Sequence, residues 1–157
     1  MKRTVLSIFA LFLVTSALAQ GLSTTPNQPI GEGKGIFPGR VVWAMNPEVS
    51  KWDGATGRWW DEGNIDMELL ENMYEKSICV LAGSDNVRKA WDKIFKYHNK
   101  THGRGNRGYR QGETIAVKIN LNNTFDTDDN DNDIDQSPQA TIALLRQLTK
   151  KAGVPEN

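Results

Sequence analysis

Two consecutive stretches of the chain repeat apolar residues at the spacing of an α-helix. The first has Asn64 or Asp66 as a cap and Gly83 as the residue that ends it, and its expected inner face consists of Leu69, Leu70, Met73, Ser77, Val80 and Leu81. The second begins after Ser84 or Asp85, and its expected inner face consists of Val87, Ala90, Trp91, Ile94, Phe95 and His98. Its basic residues fall mostly on the outer face. The pattern therefore predicts two adjacent amphipathic helices that pack into a core.

Two other stretches have the composition of β-strands. Residues 39–44 read as a short first strand, and residues 114–121 are β-branched and apolar except at Lys118 and Asn120. The second composition is typical of a central strand that is buried on both faces. A third helix follows, with Ser137 as its cap, Pro138 at its first position and Gly153 just past its end.

This order of elements predicts an α/β fold. A buried strand, a loop and an amphipathic helix form the first two-thirds of a βαβ unit, whose second strand would begin beyond Asn157. We therefore predict a three-layer α/β domain with a mostly parallel sheet and flanking helices, and we expect the sheet to be incomplete in this chain.

The N-terminus has the pattern of a secretory signal peptide. Lys2 and Arg3 precede an apolar stretch, and a small-x-small site at residues 17–19 predicts cleavage after Ala19. The predicted organisation is a signal peptide at 1–19, a flexible leader at 20–35 and the α/β domain at 36–157. We expect a periplasmic or secreted protein that has no membrane segment after cleavage.

The charge balance of the mature chain is near neutral. Removing Lys2 and Arg3 from 19 basic residues leaves 17 against 19 acidic ones, a formal charge of −2. This balance does not favour nucleic acid as a partner. Cys79 is the only cysteine, so an internal disulfide is excluded, and its place in an apolar helix favours a buried structural thiol.

Several short motifs occur in the order seen in a known family. Residues 117–122 read Val-Lys-Ile-Asn-Leu-Asn, residues 135–138 read Asp-Gln-Ser-Pro, and residues 152–154 read Ala-Gly-Val; upstream lie 35–44, Trp52-Asp53-Gly54 and Trp59-Trp60. In these motifs the chain resembles an exported bacterial branch of the domain of unknown function 362. The resemblance implies an α/β fold and no particular reaction. Some members carry ferredoxin-like iron–sulfur segments, but Cys79 alone cannot hold a cluster, so the ligands would have to come from a missing C-terminal part.

The best candidates for a ligand site are Lys118, Asn120 and Ser137. Ligands of open α/β sheets bind beyond the carboxyl ends of the strands, where Lys118 and Asn120 would lie. The free backbone N–H groups at the Ser137 helix start are a natural seat for an anion. These residues could grip a phosphate or carboxylate of a small molecule. The alternative is a lysine that reaches solvent beside an asparagine in a turn.

A different class of function is a non-catalytic glycan-binding module. Trp52, Trp59 and Trp60 lie near acidic residues, and exposed aromatic planes of this kind stack on sugars in secreted modules. The same three residues could instead pack into the core.

Two residue groups could bind metal ions. Carboxylates at Asp129, Asp131, Asp133 and Asp135 suit Ca²⁺, although the glycine and glutamate of a helix-loop-helix calcium site are absent and a solvated loop is the alternative. His98 and His102 could also be ligands, but no third ligand has a supporting spacing, and we expect His98 to be partly buried with a structural role. Residues 99–112 form a basic, glycine-rich loop that could bind an anion, close over a site or simply connect two elements.

Overall fold

The computed structural model describes residues 30–120 and 136–156, and its regular elements are helices. Helix α1 spans Met67–Ala82, α2 spans Val87–Thr101 and α3 spans Pro138–Arg146, which continues into a π-helical turn at Gln147–Lys151. A short 3-10 turn at Pro47–Val49 precedes them. The described residues from Gly33 onward form one compact unit, and residues 30–32, which belong to a separate unit, are exposed.

Local capping interactions determine both ends of α1. The Asp66 side chain accepts a hydrogen bond from the Leu69 amide at 3.0 Å, which satisfies one of the free donors of the first turn. Gly83 ends the helix with a left-handed φ of 58°, and its amide donates to the Cys79 and Val80 carbonyls. Of the two predicted caps, Asn64 and Asp66, the structure has Asp66, and the predicted end at Gly83 is confirmed.

The cap of α2 lies one residue beyond the predicted candidates. Asn86 accepts a hydrogen bond from the Lys89 amide at 3.0 Å. The Ser84 hydroxyl instead bonds the backbone of Asn86, so that it shapes the turn before the helix. The prediction of Ser84 or Asp85 as the cap is therefore wrong.

Helix α3 begins as predicted. The Ser137 hydroxyl accepts from the Ala140 amide at 3.0 Å, and Pro138 occupies the first helical position. The helical run continues through the π-turn, in which the Ala152 amide donates to the Gln147 carbonyl at 2.9 Å. Gly153 follows with a φ of 81°, in agreement with its predicted place just past the end.

The core lies where α1, α2 and the π-turn meet. Its buried members are Ile78, Ala82, Val87, Ala90, Trp91 and Leu148. Ala82 and Ala90 are fully buried, so α1 and α2 approach each other through their smallest side chains. The predicted inner face of α2 is confirmed at its first three positions. That of α1 is wrong at Val80 and Leu81, which are 57% and 41% exposed, because α1 turns Ile78 and Ala82 towards α2 instead.

Residues 35–40, which lead into the first predicted strand, are fastened to the α1–α2 hairpin. The Gly35 amide donates to the Tyr97 hydroxyl at 2.8 Å, and Arg40 Nη1 donates to the Val80 carbonyl at 2.8 Å. The Arg40 guanidinium also lies 3.7 Å from the centre of the Phe37 ring. Phe37 fills the space over Gly83, where a Cβ atom would stand 2.7 Å from the ring. Gly83 is thus required both by its φ angle and by this contact.

The predicted sheet is absent from the described residues. Residues 39–44 and 114–120 are not strands, and the β-pairing within 30–120 and 136–156 is one isolated antiparallel bridge between Ser50 and Ile65. Val117 is 37% exposed and Ile119 is 41% exposed, which contradicts the predicted burial of residues 114–121 on both faces. A segment with the composition of a strand cannot form a sheet unless a second strand supplies its hydrogen-bonding partners. Here residues 112–115 lie beside α3 instead. The prediction of a three-layer α/β fold is therefore wrong.

No helix in the described ranges has the length and apolarity that crossing a bilayer requires.

Candidate functional site

The structure brings part of the predicted anion site together. The Gln136 amide donates to the Asn120 carbonyl at 3.2 Å, which places the end of the 114–120 segment next to the Ser137 helix start. Lys118 and Asn120 are both exposed. This agrees with the alternative interpretation, in which the lysine reaches solvent, and a Lys118 side chain in a buried environment is not observed.

The start of α3 offers few donors to an anion. Pro138 has no N–H, the Ala140 amide is taken by the Ser137 hydroxyl, and the Thr141 amide is taken by the Ser137 carbonyl at 3.2 Å. In the first turn this leaves the Gln139 amide. The start of α3 is therefore a weaker anion-binding site than its sequence suggests.

The three tryptophans of the glycan hypothesis lie in a loop whose ends are held together. The Ser50–Ile65 bridge and a hydrogen bond from the Lys51 amide to the Asn64 carbonyl at 2.8 Å hold the ends. Trp52 donates through Nε1 to the Thr56 carbonyl at 2.9 Å. All three rings are half-buried, and Trp59 meets Trp60 edge to face at an angle of 85°, so these two rings do not form one flat stacking surface.

The α3 helix anchors this tryptophan loop. Gln139 Nε2 donates to the Trp60 carbonyl at 2.6 Å, while Gln139 Oε1 is buried without a hydrogen-bond partner among the described residues. The loop is thus tied to the helical body, which favours the packing role that the sequence left open for Trp60.

The proposed calcium ligands Asp129, Asp131, Asp133 and Asp135 lie outside the described residues. Within the described residues, no group of three or more His, Cys, Asp or Glu side chains could hold a metal ion. His98 is exposed, contrary to the expected partial burial.

Cys79 is half-buried against the core. Burial raises the pKa of the Cys79 thiol, and the nearby carboxylates of Glu75 and Asp85 raise it further. Both causes disfavour the thiolate that nucleophilic or metal-binding chemistry needs, which fits the predicted structural role.

The site with the best-defined chemistry is a cleft along the first half of α2. It has a volume of about 360 Å³, and its lining residues are Arg88, Lys89, Asp92, Phe95, Tyr109 and Ala152. Its volume is in the range of small-molecule sites. The Phe95 and Tyr109 rings have centroids 5.9 Å apart and form an apolar wall. We refer to this site as the α2 cleft.

The α2 cleft has an excess of positive charge. Asp92 is paired with Lys96 at 2.6 Å, whereas Arg88 and Lys89 have no ion pair within the described part of the chain. Both cations also stand in the first turn of α2, which contains no acidic residue. The positive end of the helix dipole lies there, so these two charges are placed where a helix least favours them. A bound anion would relieve this excess of positive charge.

The wall of the cleft depends on the loop that follows α2. Asn99 is 4% exposed, and its Nδ2 donates to the carbonyls of Arg107 at 2.9 Å and Gly108 at 3.3 Å. The backbone carbonyl of Asn99 accepts a hydrogen bond from the Arg104 amide at 2.7 Å. This folds the basic loop back along α2 and places Tyr109 against Phe95.

Replacing Asn99 with aspartate is expected to destabilise the protein by roughly 1–3 kcal/mol, since a carboxylate cannot donate to the two carbonyls and would face them unpaired. Urea denaturation followed by circular dichroism measures the change. The exposed neighbour Lys100→Ala is the control and should stay within about 0.5 kcal/mol of the unmodified protein. Equal stability of Asn99→Asp and the unmodified protein would contradict this role of Asn99.

A second cleft of about 480 Å³ lies between residues 111–117 and the last turns of the third helix. Its charged lining residue is Glu113, which pairs with Arg107 at 3.3 Å and accepts a hydrogen bond from the Arg110 amide. It therefore offers no free charge to a ligand. Tyr109 borders both clefts.

The α2 cleft is not among the sites that the sequence predicts. The helical spacing places Arg88 and Lys89, with the other basic residues of the second helix, mostly on the outer face, and the role of the basic loop stays open. The sequence feature that could have pointed to the cleft is the pair of adjacent cations in the first turn of a helix that has no acidic residue there.

Comparisons of the chain with protein-family models, with curated proteins and with solved structures gave no match.

Proposed function

We propose that this protein is an exported, helical ligand-binding domain whose α2 cleft binds a small organic anion with an aromatic or planar body. The observation that carries the proposal is the pair of unpaired cations, Arg88 and Lys89, beside an aromatic wall. The anionic group, a phosphate or a carboxylate, would lie between the two cations, and Arg88 can hold either group through two parallel hydrogen bonds. The apolar body would lie on Phe95 and Tyr109.

The choice of this site over Lys118, Asn120 and Ser137 follows from its geometry. The α2 cleft combines a concave surface, two cations and aromatic rings, whereas the predicted site has one exposed lysine near a helix start with one free amide. The resemblance to the domain of unknown function 362 and the glycan-binding alternative stay predictions. Half-burial of the three tryptophans gives the glycan alternative no added support.

Phenyl phosphate is a suitable probe, because it joins an anion to an aromatic ring. Isothermal titration should show binding of phenyl phosphate, with phenol and inorganic phosphate each binding at least about tenfold more weakly, a difference of about 1.4 kcal/mol. Arg88→Ala should weaken the binding of phenyl phosphate by a similar factor. Lys100→Ala, which removes an exposed charge from the far end of the same helix, should have no effect.

Two results would refute the proposal. One is the absence of phenyl phosphate binding at millimolar concentration together with an equal absence for naphthoate, an aromatic carboxylate. The other is binding that Arg88→Ala and Lys100→Ala weaken equally, since that would indicate a general charge effect at the surface.

A further inference from the structure

The two histidines of the chain lie together at the end of α2. His98 and His102 are four residues apart, a spacing that brings side chains onto one helix face. Their rings stack with centroids 4.1 Å apart and planes 27° from parallel. Both residues are exposed, so a solvated ion can reach them.

The hydrogen bonds of His102 fix the tautomer that a metal ion requires. Its Nδ1 lies 2.8 Å from the His98 carbonyl oxygen and 3.3 Å from the Thr101 hydroxyl, whose own proton is directed at the Tyr97 and His98 carbonyls. A carbonyl oxygen can only accept, so Nδ1 carries the proton and Nε2 keeps its lone pair. Metal-binding histidines commonly have this arrangement, in which the second ring nitrogen donates to a backbone carbonyl and holds the ring in place.

The His98 ring is free to turn towards the same ion. Among the described residues its contact is the stacking with His102, and its ring nitrogens make no hydrogen bond. Two imidazole nitrogens at 2.0–2.1 Å from one ion are separated by about 3.3 Å in a tetrahedral site and by about 2.9 Å in neighbouring positions of a square-planar site, the geometry that Cu(II) prefers. Because the rings are stacked, their planes must turn apart before both nitrogen lone pairs can point at one ion, and His98 can make this turn while the hydrogen bond of His102 holds the second ring.

We infer that His98 and His102 form a two-imidazole site for a divalent transition-metal ion, with water in the remaining positions. Imidazole nitrogens favour copper, nickel and zinc over calcium and magnesium, and among these ions the affinity should be highest for Cu(II). The nearest loop residues add no carboxylate, in agreement with the lack of any three-ligand cluster in the described residues. This site is separate from the α2 cleft and does not depend on the proposed function.

The test is a titration of the purified protein, prepared without a polyhistidine tag, with Cu(II). Electron paramagnetic resonance should show one equivalent of copper with nitrogen coupling from two imidazoles. His98→Asn and His102→Asn should each weaken binding at least about tenfold and remove one nitrogen from the spectrum.

A spacing control separates chelation from simple histidine content. The double variant Lys100→His with His102→Asn keeps two histidines but places them two residues apart, where side chains do not face each other. It should bind copper no more tightly than His102→Asn. Circular dichroism confirms that each variant keeps its helix content.

Three results would overturn the inference. Copper affinity unchanged in the His98→Asn, His102→Asn double variant would place the metal elsewhere in the chain. A spectrum without imidazole nitrogen would do the same. Full affinity in the spacing control would show that the helical pairing of the two rings has no role.

Discussion

Replacing Trp91 with alanine is expected to lower the free energy of unfolding by about 3–5 kcal/mol, which in a small domain is a large share of the total. Trp91 is 9% exposed at the centre of the core and stacks on Phe95 with centroids 5.6 Å apart. The surrounding residues belong to three separate helical segments, so they cannot collapse fully into the space that the indole leaves. Urea denaturation followed by circular dichroism measures the loss.

The matched control is Trp91→Phe. Trp91 Nε1 is buried and has no hydrogen-bond partner among the described residues. Phenylalanine removes this unpaired donor, whose burial costs roughly 1–3 kcal/mol, and so offsets part of the lost packing. We expect Trp91→Phe to lie within about 1.5 kcal/mol of the unmodified protein. If both variants lost the same stability, the indole nitrogen would have to be a bonded and stabilising group, which contradicts its environment here.

The second large effect is expected for Lys89→Glu, which should raise the stability of the protein and weaken its binding of the ligand. Lys89 lies in the first turn of α2, three residues after the cap Asn86. A glutamate there complements the helix dipole and stands four residues before Lys93. We expect Lys89→Glu to stabilise the protein by about 0.5–1 kcal/mol, a change that thermal unfolding measures.

The same substitution should abolish binding of an aromatic anion. It removes one of the two unpaired cations of the α2 cleft and places a carboxylate beside the ligand's own negative charge. Affinity for phenyl phosphate should fall more than about a hundredfold, or roughly 2.7 kcal/mol, in isothermal titration. Lys100→Glu, the same charge change at the other end of α2, should leave binding unaltered. A Lys89→Glu variant that loses stability as well as binding would contradict the account, because Lys89 would then have a structural role.

The sequence predicted the features that depend on a few neighbouring residues. The caps Asp66 and Ser137, the ending residue Gly83 and the first three positions of the inner face of α2 all follow from local hydrogen bonding and helical spacing. A cap shifted by one residue, at Asn86, is a small error of the same kind, since Ser84, Asp85 and Asn86 are all suitable caps.

The failures concern contacts between distant segments. Residues 114–120 have the composition of a strand, but a strand requires a partner, and the composition of one segment carries no information about whether that partner is present. Likewise, α1 has apolar residues on two sides, so its sequence does not show which side meets α2.

The candidate site was missed for the same reason. Tyr109 reaches Phe95 because Asn99 folds the basic loop back along the helix, a contact that no spacing rule contains. The i, i+4 spacing of His98 and His102, by contrast, is visible in the sequence. Their exposure and the proton position on His102 required the structure.

The most direct test of the α2 cleft is to map phenyl phosphate onto the protein by amide chemical-shift changes in nuclear magnetic resonance. The account predicts the largest changes at residues 87–92 and at Tyr109, with small changes elsewhere. Largest changes at residues 117–120 and 137–140 would instead support the site first predicted from the sequence, and largest changes at residues 52–60 would support the tryptophan loop. Either of these results would contradict the α2 cleft as the ligand site.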